Sequence, residues 1–383
     1  MSKPTTFEQG PIRPPSESRS LLLRFTRNCP WNRCSFCPVY KKSTFSRRPL
    51  AEIKKDIDAV RAILDDLSRL SWSMGFAGEL NAAVLRRVFS DPAYDACYRH
   101  VAAWRICGDG AVFLQDANNL IMRTKDLTEA LRYLKQQVPG ITRITTYARS
   151  SSLARKTIEE LRDMHDAGLD RIHVGLESGS DRVLTFVHKG VTAAEHIEGG
   201  RKAIEAGMTL SEYVMPGLGG RAWSREHALE TARVLNAVDP HFIRLRSLRV
   251  LRRTPLYDEV QKGTFVPLSD DEMVAEIRLL IEHLEGIRST LASDHIANLL
   301  EAVEGTFPED KPRMLAVIDE YLKLPEDERL LFRLGRWGSA VRTVDELKEP
   351  YLRARLERAR RELEVETGKD LESLITELGD QYI

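Results

Sequence analysis

From about residue 20 to about residue 285, short apolar runs alternate with stretches whose apolar residues recur every three or four positions. "SLLLRFTR" (20–27) reads as a first strand. Leu50, Ile53, Ile57, Val60, Leu64 and Leu67 then mark one face of a helix from about Leu50 to Leu70. Residues 71–108 are less regular. "AVFLQDAN" (111–118) reads as a second strand, with "DLTEALRYLKQQ" as its helix. "RITTYAR" (143–149) is the third, followed by the helix "ARKTIEELRDMHDAG" and a glycine stop at Gly168. "RIHVGLE" (171–177) is the fourth, with a helix through about Ala206 and a stop at Gly207. "TLSEYVMPG" (209–217) and "FIRLRSLRV" (242–250) are the fifth and sixth, followed by "SREHALETARVLNAV" and "DDEMVAEIRLLIEHLEGI".

Six strand–helix units require crossover connections and therefore a parallel sheet. Periodicity fits an open doubly wound sheet or a partial (β/α)-barrel and does not choose between them. Strand signals stop after about residue 290. Residues 289–383 read as a charged helical C-terminal module, with "EPYLRARLERARRELEVE" as one long helix, a cap or a dimerisation element. The polar, proline-rich residues 1–18 read as a flexible tail. The expected domains are thus 1–18, 19–288 and 289–383.

The 383 residues suffice for one large α/β domain and a further module. With 42% hydrophobic and 30% charged residues, the chain can build a core and is not disordered as a whole. Lys+Arg and Asp+Glu are both 57, so no general basic character points to nucleic acid. The first 20 residues lack the apolar core of a signal peptide, and no apolar run long enough to span a bilayer follows. A soluble cytoplasmic protein is expected.

Three of the five cysteines, Cys29, Cys34 and Cys37, fall in "RNCPWNRCSFCPVY" (27–40), with gaps of four and two residues. So few cysteines, so clustered, indicate an intracellular metal or redox site rather than a disulfide framework. Three soft thiolates suit zinc or iron–sulfur. Structural zinc usually takes four protein ligands, and no histidine lies in the loop. A [4Fe–4S] cluster on three cysteines leaves one iron for another ligand. Cys97 and Cys107 read as buried thiols. The loop follows the first strand, at the end where parallel α/β folds place their sites.

This three-cysteine loop, with an aromatic residue before the last cysteine, resembles that of the radical S-adenosylmethionine (SAM) superfamily, although the usual first gap there is three residues. "GLESGSDRVL" (175–184) and "VMPGLGG" (214–220) resemble the fourth-strand and fifth-strand segments of one branch. That branch contains the oxygen-independent coproporphyrinogen oxidase, the methylthiotransferases and the Elongator catalytic subunit. The resemblance covers roughly residues 19–285. It implies an α/β fold, a partial (β/α)6 TIM-like barrel carrying the C-terminal helical module. It also implies an oxygen-sensitive iron–sulfur enzyme. Cys29, Cys34 and Cys37 would bind a [4Fe–4S] cluster whose open iron takes the amino and carboxylate groups of SAM. The reduced cluster would cleave SAM to a 5′-deoxyadenosyl radical, which takes a hydrogen atom from substrate. Glu177 would meet the cofactor's ribose or amino group, Asp116 and Asn118 stand where the family has its cofactor-amine motif, and Met215, Pro216 and Gly217 would lie along the adenine.

Strand alternation assigns the inward face independently. Ile172, Val174 and Leu176 go to the helices. Arg171, His173, Gly175 and Glu177 oppose them, as Tyr147 and Arg149 oppose Ile144 and Ala148. Polar groups facing inward are costly unless they bind something. Arg149 is the first choice for the cofactor carboxylate. Arg24, Arg244 and Arg246 outnumber the inward acids and suggest a substrate with a carboxylate or phosphate. Glu177, His173 and Tyr147 are the catalytic candidates. The plainer alternatives are an ion pair of Glu177 with Arg149 or Arg171, a turn at Asp116 and Asn118, a packed barrel histidine and core tyrosines.

The leading expectation is a radical SAM enzyme acting on a small anionic molecule, with flavodoxin or ferredoxin as electron donor. No membrane or nucleic-acid partner is expected; a homodimer is among the readings, with the C-terminal module as a cap or a dimerisation element. Competing readings are a tRNA- or protein-modifying enzyme of the same superfamily, a coproporphyrinogen-type decarboxylase, and a non-catalytic zinc or iron–sulfur protein.

Overall fold

In the computed structural model, which describes residues 6–367 and 371–380, strand β1 (Leu21–Arg24) leads into a ribbon of β2 (Thr26–Arg27) and β3 (Ser46–Arg47). Helices α1 (Leu50–Ser73), α2 (Ala82–Ser90) and α3 (Ala96–Cys107) follow. The series continues with β4 (Ala111–Gln115), α4 (Thr124–Gln137), β5 (Arg143–Ala148), α5 (Ser150–Arg155), α6 (Ile158–Asp166) and β6 (Arg171–Glu177). Next come α7 (Asp181–Phe186), α8 (Ala193–Glu205), β7 (Thr209–Val214), α9 (Gly220–Val238), β8 (Phe242–Leu245), α10 (Pro255–Gln261) and α11 (Asp270–Glu282). The chain ends with β9 (Thr290–Ala292), β10 (Gly305–Thr306), α12 (Lys311–Leu322), α13 (Glu326–Trp337), α14 (Pro350–Thr367) and α15 (Leu371–Asp380). Eight strands form one sheet in the order β1-β4-β5-β6-β7-β8-β9-β10. The last pair, β9 with β10, is antiparallel.

The chain divides into two compact units. The first holds the segment ending at Asn32, Tyr40–Val174 and Glu198–Leu210. The second holds Arg33–Val39, Gly175–Ile197 and the chain from Ser211 onward.

In the first unit the register pairs Leu21 with Val112, Val112 with Ile144, and Thr146 with Ile172. Leu21, Leu23, Val112, Leu114, Ile144, Ile172 and Val174 therefore share one face, and all are buried. Helix α1 buries Ile53, Ile57, Val60, Ile63 and Leu67, and α4 buries Leu127, Leu131 and Leu134. Each such side chain contributes roughly 1.5–3 kcal/mol. Helix α6 starts on a capping box of Thr157 and Glu160. Gly168, at φ +112°, ends it where a side chain would be strained. The opposite sheet face carries Arg24, Gln115, Tyr147, Arg171 and His173, as strand alternation requires.

In the second unit Val183, Val187, Met215, Leu218, Leu248, Leu256 and Phe265 form an apolar cluster, with Phe36, Phe186 and Trp223 packed against it. Trp337 of α13 is buried, donates to Asp270 Oδ2 at 2.9 Å and lies under the Arg249 guanidinium at 4.6 Å.

Several expectations are corrected here. Residues 71–108 hold two helices, α2 and α3, capped by Asn81 and Asp95. The helix expected through Ala206 is two, α7 and α8. Residues 289–383 are not a separate module: they lie in the second unit, and β9 pairs with β8 in parallel. Its three residues are too few to carry a pattern. From Phe7 onward the expected N-terminal tail is docked. Phe7 and Glu17 are buried, and Gln115 Nε2 donates to the carbonyls of Gly10 and Ile12 at 3.0 and 2.6 Å. Cys107 is exposed, and Cys97 is half-buried. Among the described residues no helix is long and apolar enough to cross a membrane.

Candidate active site

The first half of the cysteine loop is gripped from both sides. Asn28 and Asn32 flank Cys29, and both adopt left-handed backbone conformations, φ +68° and +49°. Asparagine is among the few residues that enter this region readily. The Asn28 amide donates to Asp116 Oδ2 at 2.8 Å, and its side chain donates to the Thr44 carbonyl at 2.6 Å. The Asn32 amide donates to Cys29 Sγ at 3.4 Å, while its side chain donates to the carbonyls of Tyr40 and Ser43.

Beneath the loop Arg24 is fully engaged. Its Nε donates to Asp116 Oδ2 at 2.8 Å, Nη1 to Glu8 Oε1 at 3.0 Å and Nη2 to Asn28 Oδ1 at 3.0 Å. Arg24, expected at the substrate, is thus a structural anchor. Glu8 also pairs with Arg27 at 2.6 Å and lies 3.5 Å from Arg48. These contacts hold the Glu8 carboxyl below its usual range, with the Arg27 hydrogen bond the largest cause and burial opposing it. Asp116 has no exposure, and the Tyr40 hydroxyl is buried. Burial, then the Asp116 charge, pushes the Tyr40 phenol far up, with a smaller push from Cys29. Tyr40 therefore sits beside both.

Asn118 donates to Ser152 Oγ at 2.8 Å and accepts from the Arg149 amide at 3.4 Å. The Arg149 guanidinium lies 5.2 Å from the Trp31 ring. Tyr147 meets Phe113 edge-on at 5.1 Å and His173 at 5.9 Å. His173, expected among the catalytic residues, is wholly buried. Its Nε2 lies 3.5 Å from Glu17 Oε1, the plainer reading of a packed barrel histidine.

In the second unit the rest of the loop is fixed through Ser35. Its amide donates to the Val187 carbonyl at 2.9 Å, and its carbonyl accepts from Leu256 at 3.0 Å. Cys34 and Cys37 are joined by a turn, Cys37 N to Cys34 O at 3.3 Å. All five cysteines are free thiols. Cys29 belongs to the first unit and Cys34 and Cys37 to the second; the described residues contain no metal-holding group of three His, Cys, Asp or Glu side chains.

Glu177 ends β6 at φ +63° and accepts from Lys189 Nζ at 2.9 Å. Its partner is thus Lys189, not Arg149 or Arg171 as considered from the sequence. A Cβ at Gly175 would lie 2.2 Å from Glu177 Oε1 and 2.9 Å from Lys189 Nζ, so only glycine leaves this pair its place. Glu212 is buried, and desolvation drives its pKa well above the usual range; Lys189 opposes the shift and Glu177 adds to it. The Met215 amide donates to the Glu177 carbonyl at 3.0 Å, and the Gly217 amide donates to Glu276 Oε1 at 2.6 Å. Arg244 is paired with Asp294 at 2.9 Å. Arg246 is exposed and has no ion pair among the described residues. Nearby His295 falls to about 4, through burial first and the Arg246 charge second.

Sequence reasoning missed Glu8, Asn32, Tyr40, Lys189 and Glu212. Only the asparagines beside Cys29 carried a signal, since asparagine is enriched where φ is positive.

The model of the radical SAM superfamily matches residues 23–232. That is more than half of the chain, and the chain belongs to this superfamily, whose members use a [4Fe–4S] cluster and SAM. An uncharacterized protein of Methanocaldococcus jannaschii is 23% identical over 137 residues, covering 36% of this chain and 42% of that protein. Uncharacterized protein YtqA of Bacillus subtilis is 22% identical over 142 residues, covering 37% and 42%. The matches thus span less than half the length of these relatives. Among solved structures, the cobalamin-dependent SAM radical enzyme OxsB aligns at TM-score 0.45 with 15% identity, over 89% of this chain and 50% of that one. Coproporphyrinogen III oxidase (HemN) from Escherichia coli aligns at 0.42 with 13% identity, over 66% and 49%. Likenesses this distant bear on neither substrate nor reaction.

Proposed function

We propose that Cys29, Cys34 and Cys37 hold a [4Fe–4S] cluster and that the chain cleaves SAM reductively to act on a small anionic substrate. The observation that carries this reading is the donor set. Three free thiols sit in nine consecutive positions inside the matched segment, with no fourth cysteine or histidine in the loop. When bound, the reduced cluster supplies the electron that splits SAM into methionine and a hydrogen-abstracting radical.

Further residues support the reading. Asp116, by the resemblance the acceptor for the SAM amino group, is wholly buried beside Gly10 and supports the loop by accepting from the Asn28 amide. Lys189 orients Glu177 toward the ribose hydroxyls. Met215, Pro216 and Gly217 are the candidates for the adenine by the resemblance; all three are buried, and Met273 fills the space beside Gly217. Trp31 stacks under Arg149, which is the candidate for the cofactor carboxylate. Of the three arginines expected at the substrate, Arg24 and Arg244 are neutralised by acids, so Arg246 is the candidate anion contact. The electron donor is a low-potential protein such as flavodoxin or ferredoxin.

The test is anaerobic reconstitution with iron and sulfide, then dithionite and SAM, with chromatography for 5′-deoxyadenosine. About four irons per chain and a nucleoside product lost in Cys34→Ala are expected. A colourless chain that takes up zinc instead would overturn the reading.

A further inference from the structure

The first cysteine gap is one residue longer than the family's usual spacing, and the structure shows how this stretch is held. We propose that Asn32 is a positioning residue of the cluster loop. Its left-handed backbone turns the chain back within the gap and aims its amide at Cys29 Sγ. Its side chain locks that conformation, and the amide raises the reduction potential of the cluster. The inference rests on the cluster assignment above.

Three observations carry it. Asn32 has φ +49°, a conformation costly for residues with an ordinary Cβ. Its amide lies 3.4 Å from Cys29 Sγ, within hydrogen-bond range for sulfur. Its side-chain amide is bound by the carbonyls of Tyr40 and Ser43, and its own carbonyl accepts from Lys41 Nζ at 3.2 Å. The backbone amide, the backbone carbonyl and the side-chain nitrogen of this residue are thus committed to fixing its conformation or to Cys29. An amide dipole directed at a cluster sulfur stabilises the more negative, reduced state, so hydrogen bonds to sulfur raise the potential.

The test compares Asn32→Ala with Asn32→Gly. Alanine loses the side-chain lock and resists positive φ, whereas glycine loses the lock but enters the left-handed region freely. Two readouts are taken. One is the midpoint potential of the reconstituted cluster, from a redox titration followed by electron paramagnetic resonance. The other is hydrogen exchange of the 28–34 segment in the metal-free chain. Asn32→Ala should shift the potential to more negative values and speed exchange, and Asn32→Gly should do both to a smaller extent. Parental potential and exchange in Asn32→Ala would overturn the proposal, as would an equal or larger effect of glycine. A parental chain that binds no iron–sulfur cluster overturns the functional reading and the claim on potential together. Exchange in the metal-free chain then still decides whether Asn32 positions Cys29.

Discussion

Glu17 Oε1 and His173 Nε2 face each other at 3.5 Å, and neither side chain has any exposure. Arg143 completes the group at 3.2 Å from Glu17 Oε2, and the Ser20 hydroxyl donates to the same oxygen. Burial alone would push the Glu17 carboxyl up. The hydrogen bonds from His173 and Ser20 and the Arg143 charge outweigh it and hold the pKa at about 2.

A carboxyl depressed from 4.5 to about 2 stabilises the fold fully above pH 4.5 and progressively less as the pH falls toward 2. Denaturant melts between pH 6 and 2 should lose about 3 kcal/mol through this group. In Glu17→Gln that loss should already be present at pH 7, and the acid limb should flatten.

Glu212 has the opposite sign. Its folded pKa lies above 4.5 because burial disfavours the charge. The folded chain therefore holds a proton that the unfolded chain releases, and stability falls as pH rises above 4.5. Glu212→Gln keeps the shape without the titration. It should be more stable than the parent at pH 8, and it should melt like the parent near pH 4.

Asp116 holds Arg24 and the Asn28 amide through one oxygen, Oδ2. Asp116→Ala leaves the mostly buried Arg24 with only Glu8 and Asn28. A loss of about 3 kcal/mol in urea melts is expected, together with a lower iron content after reconstitution. Asp116→Asn should lose less stability, because the amide oxygen still accepts. Unchanged melting in both variants would show that the loop stands without this support.

Gly175→Ala would push its Cβ against the Glu177–Lys189 pair, whose contacting atoms are the ends of flexible side chains. The pair can swing aside, so the melting temperature should fall by no more than about 2 °C. SAM affinity measured by calorimetry should weaken about tenfold, about 1.4 kcal/mol. A large drop in stability with intact affinity would place the glycine in packing instead.

Where side chains alternate over several residues, the sequence was readable. Strand β6 runs over the seven expected residues, and Ile172 and Val174 go to the face shared with Leu21 and Val112. The α6 stop at Gly168 was equally plain. Alternation assigns a face, however, and not a partner. It put Arg24 and Arg244 inward but could not say that Asp116 and Asp294 would neutralise them. The N-terminal segment carries no period, because it is held by backbone groups, by the Gln115 amide and by one buried acid. Lys189 was invisible for a similar reason: it lies beyond α7, twelve residues from its partner, in a stretch without regular spacing.

The docked N-terminal segment also bears on the order in which the fold is completed. Glu17 is bonded to Arg143, 126 residues later, and Gly10 to Gln115, 105 residues later. On the ribosome this segment emerges ahead of its binding places, which are not synthesised until β4, β5 and β6 have followed. It must wait in water, with Glu17 an ordinary solvated carboxylate, while some 150 residues are added. A segment made ahead of the strands that hold it is thus among the last to take its place, and its docking reports that the strands of the first unit have assembled.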